Sequence, residues 1–253
     1  MIKQVSDQEV GVRFIFCGIG NSLDELIGTH LSTDRYIAPV ELERLSHDAL
    51  WEILTVTATE LKVEVGREEQ IRISQISDGF PYYVHLIGEH MFWAMYDDPM
   101  EVAKAGLSHF DSGVKGAIAE AVGSLRQAYN LAVQKRADEY EEVLWAVADG
   151  PNLERKSPTI YNESYLPIME MRDRREPIDI KIFYQRMNSL KKPAHGRILQ
   201  ANRQGWYRFS ENVMRGYVRL KAEDAGIRLG IDHHFAPKAP HRSRRERMSD
   251  DIL

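Results

Sequence analysis

Cysteine is almost missing from this sequence: Cys17 is the only one in 253 residues, which excludes an internal disulfide and any multi-cysteine metal site. It lies in the apolar run Val12-Arg13-Phe14-Ile15-Phe16-Cys17, where an inert buried thiol is expected. No stretch of about 18 apolar residues occurs. The amino terminus, Met1-Ile2-Lys3-Gln4-Val5-Ser6-Asp7, lacks the apolar segment of a signal peptide. The expectation is a chain with no membrane partner and a cytoplasmic location. His30, His47, His85 and His90 have neither cysteine partners nor a His-Glu-x-x-His spacing, so no metal site is predicted. There is no Gly-x-Ser-x-Gly and no other defensible pairing of nucleophile and base. Also absent are Gly-x-x-x-x-Gly-Lys-Ser/Thr, the loop whose backbone N–H groups cradle phosphates, and an apolar strand ending in Asp-Glu to hold magnesium.

The chain has enough length and apolar content to bury a core. A formal charge of −5 conceals an uneven distribution. Between Lys181 and Lys221 there are ten Lys or Arg and one acid, Glu211. A basic island on an acidic chain points to a specific partner more than overall charge does.

The run at 12–17, rich in β-branched and aromatic residues and closed by Gly18 and Gly20, predicts a strand buried on both faces, as in a parallel sheet. Asn21 follows at its carboxyl edge, where open α/β sheets bind ligands; asparagine at such a place also simply caps turns. A short helix over 22–27 and the stretch Ser32-Thr33-Asp34-Arg35 come next. These residues resemble the AAA+ ATPases, in particular the bacterial and archaeal branch near the origin-recognition initiators. The resemblance implies that Asn21 is sensor 1 and Arg35 the arginine finger. It continues, more weakly, to about residue 225. Since the phosphate loop and magnesium carboxylates are missing, it implies the carboxyl-terminal part of such an ATPase. The phosphate-binding half would lie on another polypeptide, have been lost or have been left out, and ATP and Mg would be held only if it were supplied.

Ser46 predicts the cap of a helix to about Lys62, with Leu50, Ile53, Leu54 and Leu61 inward. A second helix spans about 67–77, and Asp78-Gly79-Phe80-Pro81 opens a third. The family's lid carries Gly-x-Pro-Arg at this place, with sensor 2 as the arginine. Here Tyr82 takes that nucleotide-sensing position and supplies no positive charge, so packing is its expected role, with stacking near a base as the alternative. A long helical stretch from Gly113 to about Ala148 should break near 134–138.

After a polar connector over 152–163, the pattern becomes helix, helix, then a hairpin turning at Asn202-Arg203-Gln204-Gly205, with Ser210 capping a last helix. This order reads as a winged helix, which the initiator-like branch carries after its lid. The fold class expected is mainly α with a small α/β remnant. The remnant covers 1–42, the lid 43–112, a connecting helix 113–138, the winged helix 139–228 and a disordered tail 229–253. Arg186, Lys191 and Lys192 near its third helix and Arg197, Arg203 and Arg208 around the hairpin are the candidate DNA contacts. The function expected is a fragment or split half of an AAA+ ATPase, inactive alone, which binds DNA or a protein and meets an amino-terminal half or a neighbouring AAA+ subunit. A non-enzymatic winged-helix adaptor or DNA-binding protein, independent of nucleotide, is the alternative.

Overall fold

The computed structural model describes residues 42–135, 137–172 and 175–230, with the single positions 15, 38 and 40. The chain divides into two units, Met1–Glu43 and Arg44–Leu253, and every element below belongs to the second. The strand expected at 12–17 falls, except for Ile15, outside the described residues, as do Asn21, the short helix after it, Arg35 and the tail beyond residue 230. What is described is mainly α, with one small antiparallel sheet.

Helix α1, His47–Leu61, starts where Ser46 Oγ accepts the Ala49 N–H at 3.3 Å and stops at left-handed Lys62. Its buried stripe is Leu50, Leu54 and Ala58, four residues apart. Leu61, read from the sequence as part of that stripe, is instead 53 % exposed in the final turn. Helix α2, Arg67–Ser77, ends at Asp78, which takes φ 50°. Pro81 then occupies the first turn of α3, Pro81–Tyr96, where a missing N–H costs nothing. Helix α4, Leu107–Glu120, packs along α3.

Two further helices follow, α5 at Gly123–Val133 and α6 at Ala137–Asp149. The expected break near 134–138 is present, but the helical stretch begins earlier than Gly113 and has a second break at Ala121–Val122. No proline marks it. The Tyr82 hydroxyl accepts the Val122 N–H at 3.0 Å, so the bend is set by a tertiary contact and not by local turn chemistry.

Strand β1, Arg155–Lys156, lies inside the segment read as a polar connector. It leads into α7, Ser157–Ile160, a π-helical turn at Tyr161–Tyr165, and α8, Leu166–Glu170. Helix α9, Ile180–Leu190, precedes the hairpin of β2, Leu199–Gln200, and β3, Trp206–Phe209. The sheet order is β1-β3-β2. Helix α10, Met214–Asp224, closes the fold. Ser210 does not cap it: its hydroxyl donates to the Arg197 carbonyl at 2.5 Å and pins the base of the hairpin.

Helix α10 packs across α2, α4 and α6, so residues expected to form a lid and those around the hairpin share one core. Gly216 of α10 presses on Tyr83 of α3, whose Cε2 lies 2.1 Å from where a Cβ would stand. The Tyr83 hydroxyl donates to the Val213 carbonyl at 2.7 Å. A charged cluster joins the same parts. Asp78, fully buried, accepts from Arg215 Nε at 2.5 Å and Arg44 Nη1 at 2.9 Å, with Arg219 Nη2 at 3.2 Å. Other donors of Arg215 and Arg219 reach the carbonyls of Ala148, Asp149 and Gly150 at the end of α6, and their Nη1 atoms reach those of Asn152 and Gln75. Burial pulls the Arg219 guanidinium down to about 10, against the stabilising charge of Asp78. Among the described residues no helix is long and apolar enough to cross a membrane.

Candidate nucleic-acid interface

Alternation along the strands sorts the side chains of the sheet onto two faces. Tyr207 and Phe209 of β3, Leu199 of β2 and Arg155 of β1 are buried. Their neighbours Lys156, Gln200, Trp206 and Arg208 therefore point the other way, and the register pairs Lys156 with Trp206 and Gln200 with Arg208. Arg155 stays on the inner face, donating to Ser164 Oγ at 2.9 Å, and burial lowers its pKa.

The outward face is basic and built around one indole. The Arg203 guanidinium lies 3.7 Å from the Trp206 ring centroid and the Lys156 ammonium 5.4 Å, both within cation–π range. With its amide oxygen turned toward Arg208, Gln200 accepts from Nε at 2.9 Å and Nη2 at 3.0 Å, a partner that leaves the charge of Arg208 intact. The turn is held by Gly205, whose φ of 75° suits a residue without Cβ and whose carbonyl accepts the Ser157 N–H at 2.8 Å. That bond ties the hairpin tip to the junction of β1 and α7.

Helix α9 buries Phe183, Met187 and Leu190 and exposes Lys181, Gln185 and Asn188. Its arginine is committed elsewhere: Arg186 pairs with Glu139 at 2.6 Å and lies over Tyr140. At the other end of the helix Lys191 stands 5.3 Å from the Tyr207 ring, and the Tyr207 hydroxyl donates to Asn188 Oδ1 at 3.0 Å. Lys191, Asn188, Asn202, Arg203 and Gln204 line an open groove of about 450 Å³ between α9 and the hairpin tip. Lys192 and Arg197 are exposed beside the turn that leads into β2, with Arg197 at φ 48°.

Of the residues singled out in sequence, Lys191, Lys192, Arg197, Arg203 and Arg208 thus surround the hairpin and the carboxyl end of α9, whereas Arg186 is drawn into an ion pair. Arg215 and Arg219, which swell the basic island in sequence, are buried against Asp78 and face no solvent. Tyr82 is half-buried at the start of α3, edge-on to Tyr83 at 4.9 Å. Lys156 was overlooked: its only signal is adjacency to Arg155 in a two-residue strand, too short to show a period. Among the described residues no group of His, Cys, Asp or Glu is arranged to hold a metal ion. Compared with protein-family models, with curated proteins and with solved structures, the chain matches none.

Proposed function

We propose that residues 139–228 form a winged helix that binds DNA through charge, within the carboxyl-terminal portion of an AAA+ ATPase. One observation supports the DNA reading: in the order α6, β1, α7–α8, α9, β2, β3, the hairpin after α9 bears basic side chains unpaired with acids, as a wing that tracks phosphates would. In this reading α1 to α4 correspond to the helical lid, and ATP and Mg are bound only together with a phosphate-binding half. Duplex binding is expected to be weak and non-specific, with Kd roughly 10⁻⁴ to 10⁻⁶ M near physiological salt. A titration at low salt that finds no binding by a folded chain overturns it.

A second reading, a nucleotide-independent adaptor that docks an acidic protein, is favoured by the core shared between α10 and the helices α2 and α4. In this reading the lid helices serve as a scaffold. In either reading the chain alone neither binds ATP tightly nor hydrolyses it, because Asn21 and Arg35 can only assist a phosphate held by other groups. Calorimetry with the purified chain checks this, and micromolar ATP affinity contradicts it.

A further inference from the structure

We infer that nucleic acid docks on the outward face of the β1-β3-β2 sheet and its hairpin tip, with Lys156, Arg203 and Arg208 as the phosphate contacts, and that α9 is not the principal contact. This rests on the nucleic-acid reading above and specifies which surface does the binding.

Charge separates the two surfaces. None of the ion pairs among the described residues involves Lys156, Arg203 or Arg208, although Glu154 and Glu211 are near in sequence. Their neighbours are an indole and an amide, which orient a cation without neutralising it. Around the amino half of α9 the reverse holds. Arg175 is taken by Asp138 at 2.5 Å and Glu142 at 2.6 Å, Arg172 approaches Glu142 at 3.5 Å, and Arg186 is taken by Glu139.

The amino end of α9 is itself occupied by an acid. Asp179 Oδ1 accepts the Lys181 N–H at 2.8 Å, and Glu176 and Asp179 are both exposed there. A phosphate set about 4 Å from such a carboxylate is repelled by about 1 kcal/mol even in bulk water. Lys181 is the one cation on the exposed side of the helix.

Geometry sets the strand part of the outward face apart from α9, while Arg203 at the hairpin tip also lines the groove beside the carboxyl end of that helix. The Tyr207 hydroxyl reaches Asn188 from the inner face of the sheet, so α9 lies on the side opposite to Lys156, Trp206 and Arg208. A duplex lying along the outward face would gain all three unneutralised cations and would leave the acids at Glu176 and Asp179 behind the sheet.

The test is a titration of labelled duplex with the full chain at fixed low salt, comparing single variants. Losing one phosphate contact costs roughly eightfold in affinity at 0.1 M salt. Lys156→Ala, Arg203→Ala and Arg208→Ala should each weaken binding by about that factor. Lys181→Ala and Gln185→Ala should stay within about twofold. Binding should also change the emission of Trp206, a change missing from Trp206→Phe, which a contact through α9 alone would not produce. If Lys181→Ala is as damaging as Arg203→Ala and the sheet variants bind normally, the inference falls while DNA binding through α9 stands. If the folded chain binds no duplex, the inference and the DNA reading fall together.

Discussion

Replacing Asp78 by Ala is expected to destabilise the fold by about 3–5 kcal/mol, the range for breaking a buried ion pair from one side. The carboxylate is the only acid contacting Arg215 and Arg219 at ion-pair distance among the described residues, and both guanidiniums are almost completely buried. Removing it leaves two desolvated positive charges facing each other and Arg44. Asp78 also sits at φ 50°, a region aspartate tolerates and alanine does not, which adds about 1–2 kcal/mol. Asp78→Asn keeps that backbone and isolates the charge.

Acid provides a second readout of the same group. Burial alone would raise the Asp78 pKa, but the charges of Arg215, Arg219 and Arg44 outweigh it and hold the carboxyl below its ordinary value. A depressed pKa contributes stability that is complete above the unfolded value of about 3.9 and is lost as pH falls through the lower folded value. Wild-type stability should therefore fall steeply below about pH 4. Asp78→Asn should be weaker at neutral pH and should lack that part of the fall. Urea midpoints at several pH values measure both, and an Asp78→Asn midpoint equal to wild type contradicts the account.

Truncating Tyr83 to Ala should cost about 3–5 kcal/mol, the usual loss for deleting a large buried aromatic side chain. Its ring is fully buried against Gly216, and its hydroxyl ties α3 to the residue before α10. Tyr83→Phe should cost about 1 kcal/mol, the net value of one hydrogen bond. Because Tyr83 belongs to the helices expected to be a lid and Gly216 to the segment with the hairpin, damage at either should weaken both. A single unfolding transition, seen identically by far-UV circular dichroism and tryptophan emission, is the expected result. Two separate transitions would mean that the segments fold independently.

Local signals made part of this legible in sequence. Ser46 before the Leu50 and Leu54 spacing gave away α1, and Asp78-Gly79-Phe80-Pro81 the junction of α2 with α3. The turn Asn202-Arg203-Gln204-Gly205 located the hairpin, since turn chemistry is confined to a few neighbouring residues. What escaped depends on distant partners. Strand β1 exists only because Arg155 and Lys156 pair with Tyr207 and Trp206. The bend at Val122 depends on Tyr82.

The basic island shows the same limit for the candidate site. In sequence Arg215 and Arg219 look like Arg203 and Arg208, because nothing nearby marks them as interior. They are buried because Asp78, 137 positions before Arg215, meets them in space. Arg186 is likewise removed by Glu139, 47 residues upstream. Net local charge overstated the cations available to a partner, and the missed Lys156 restored one.

Salt dependence measures most directly whether the remaining cations bind nucleic acid. Each neutralised phosphate releases counterions, so log K against log salt falls with a slope of about −0.9 per contact. Three contacts from the sheet face give roughly −3, and five, with Lys191 and Lys192 added, roughly −4 to −5. For the full chain and a labelled duplex, a linear plot within these limits is predicted, with Arg203→Ala shallower by about one. A plot that is flat in salt, or a folded chain that does not bind duplex at low salt, would contradict the account.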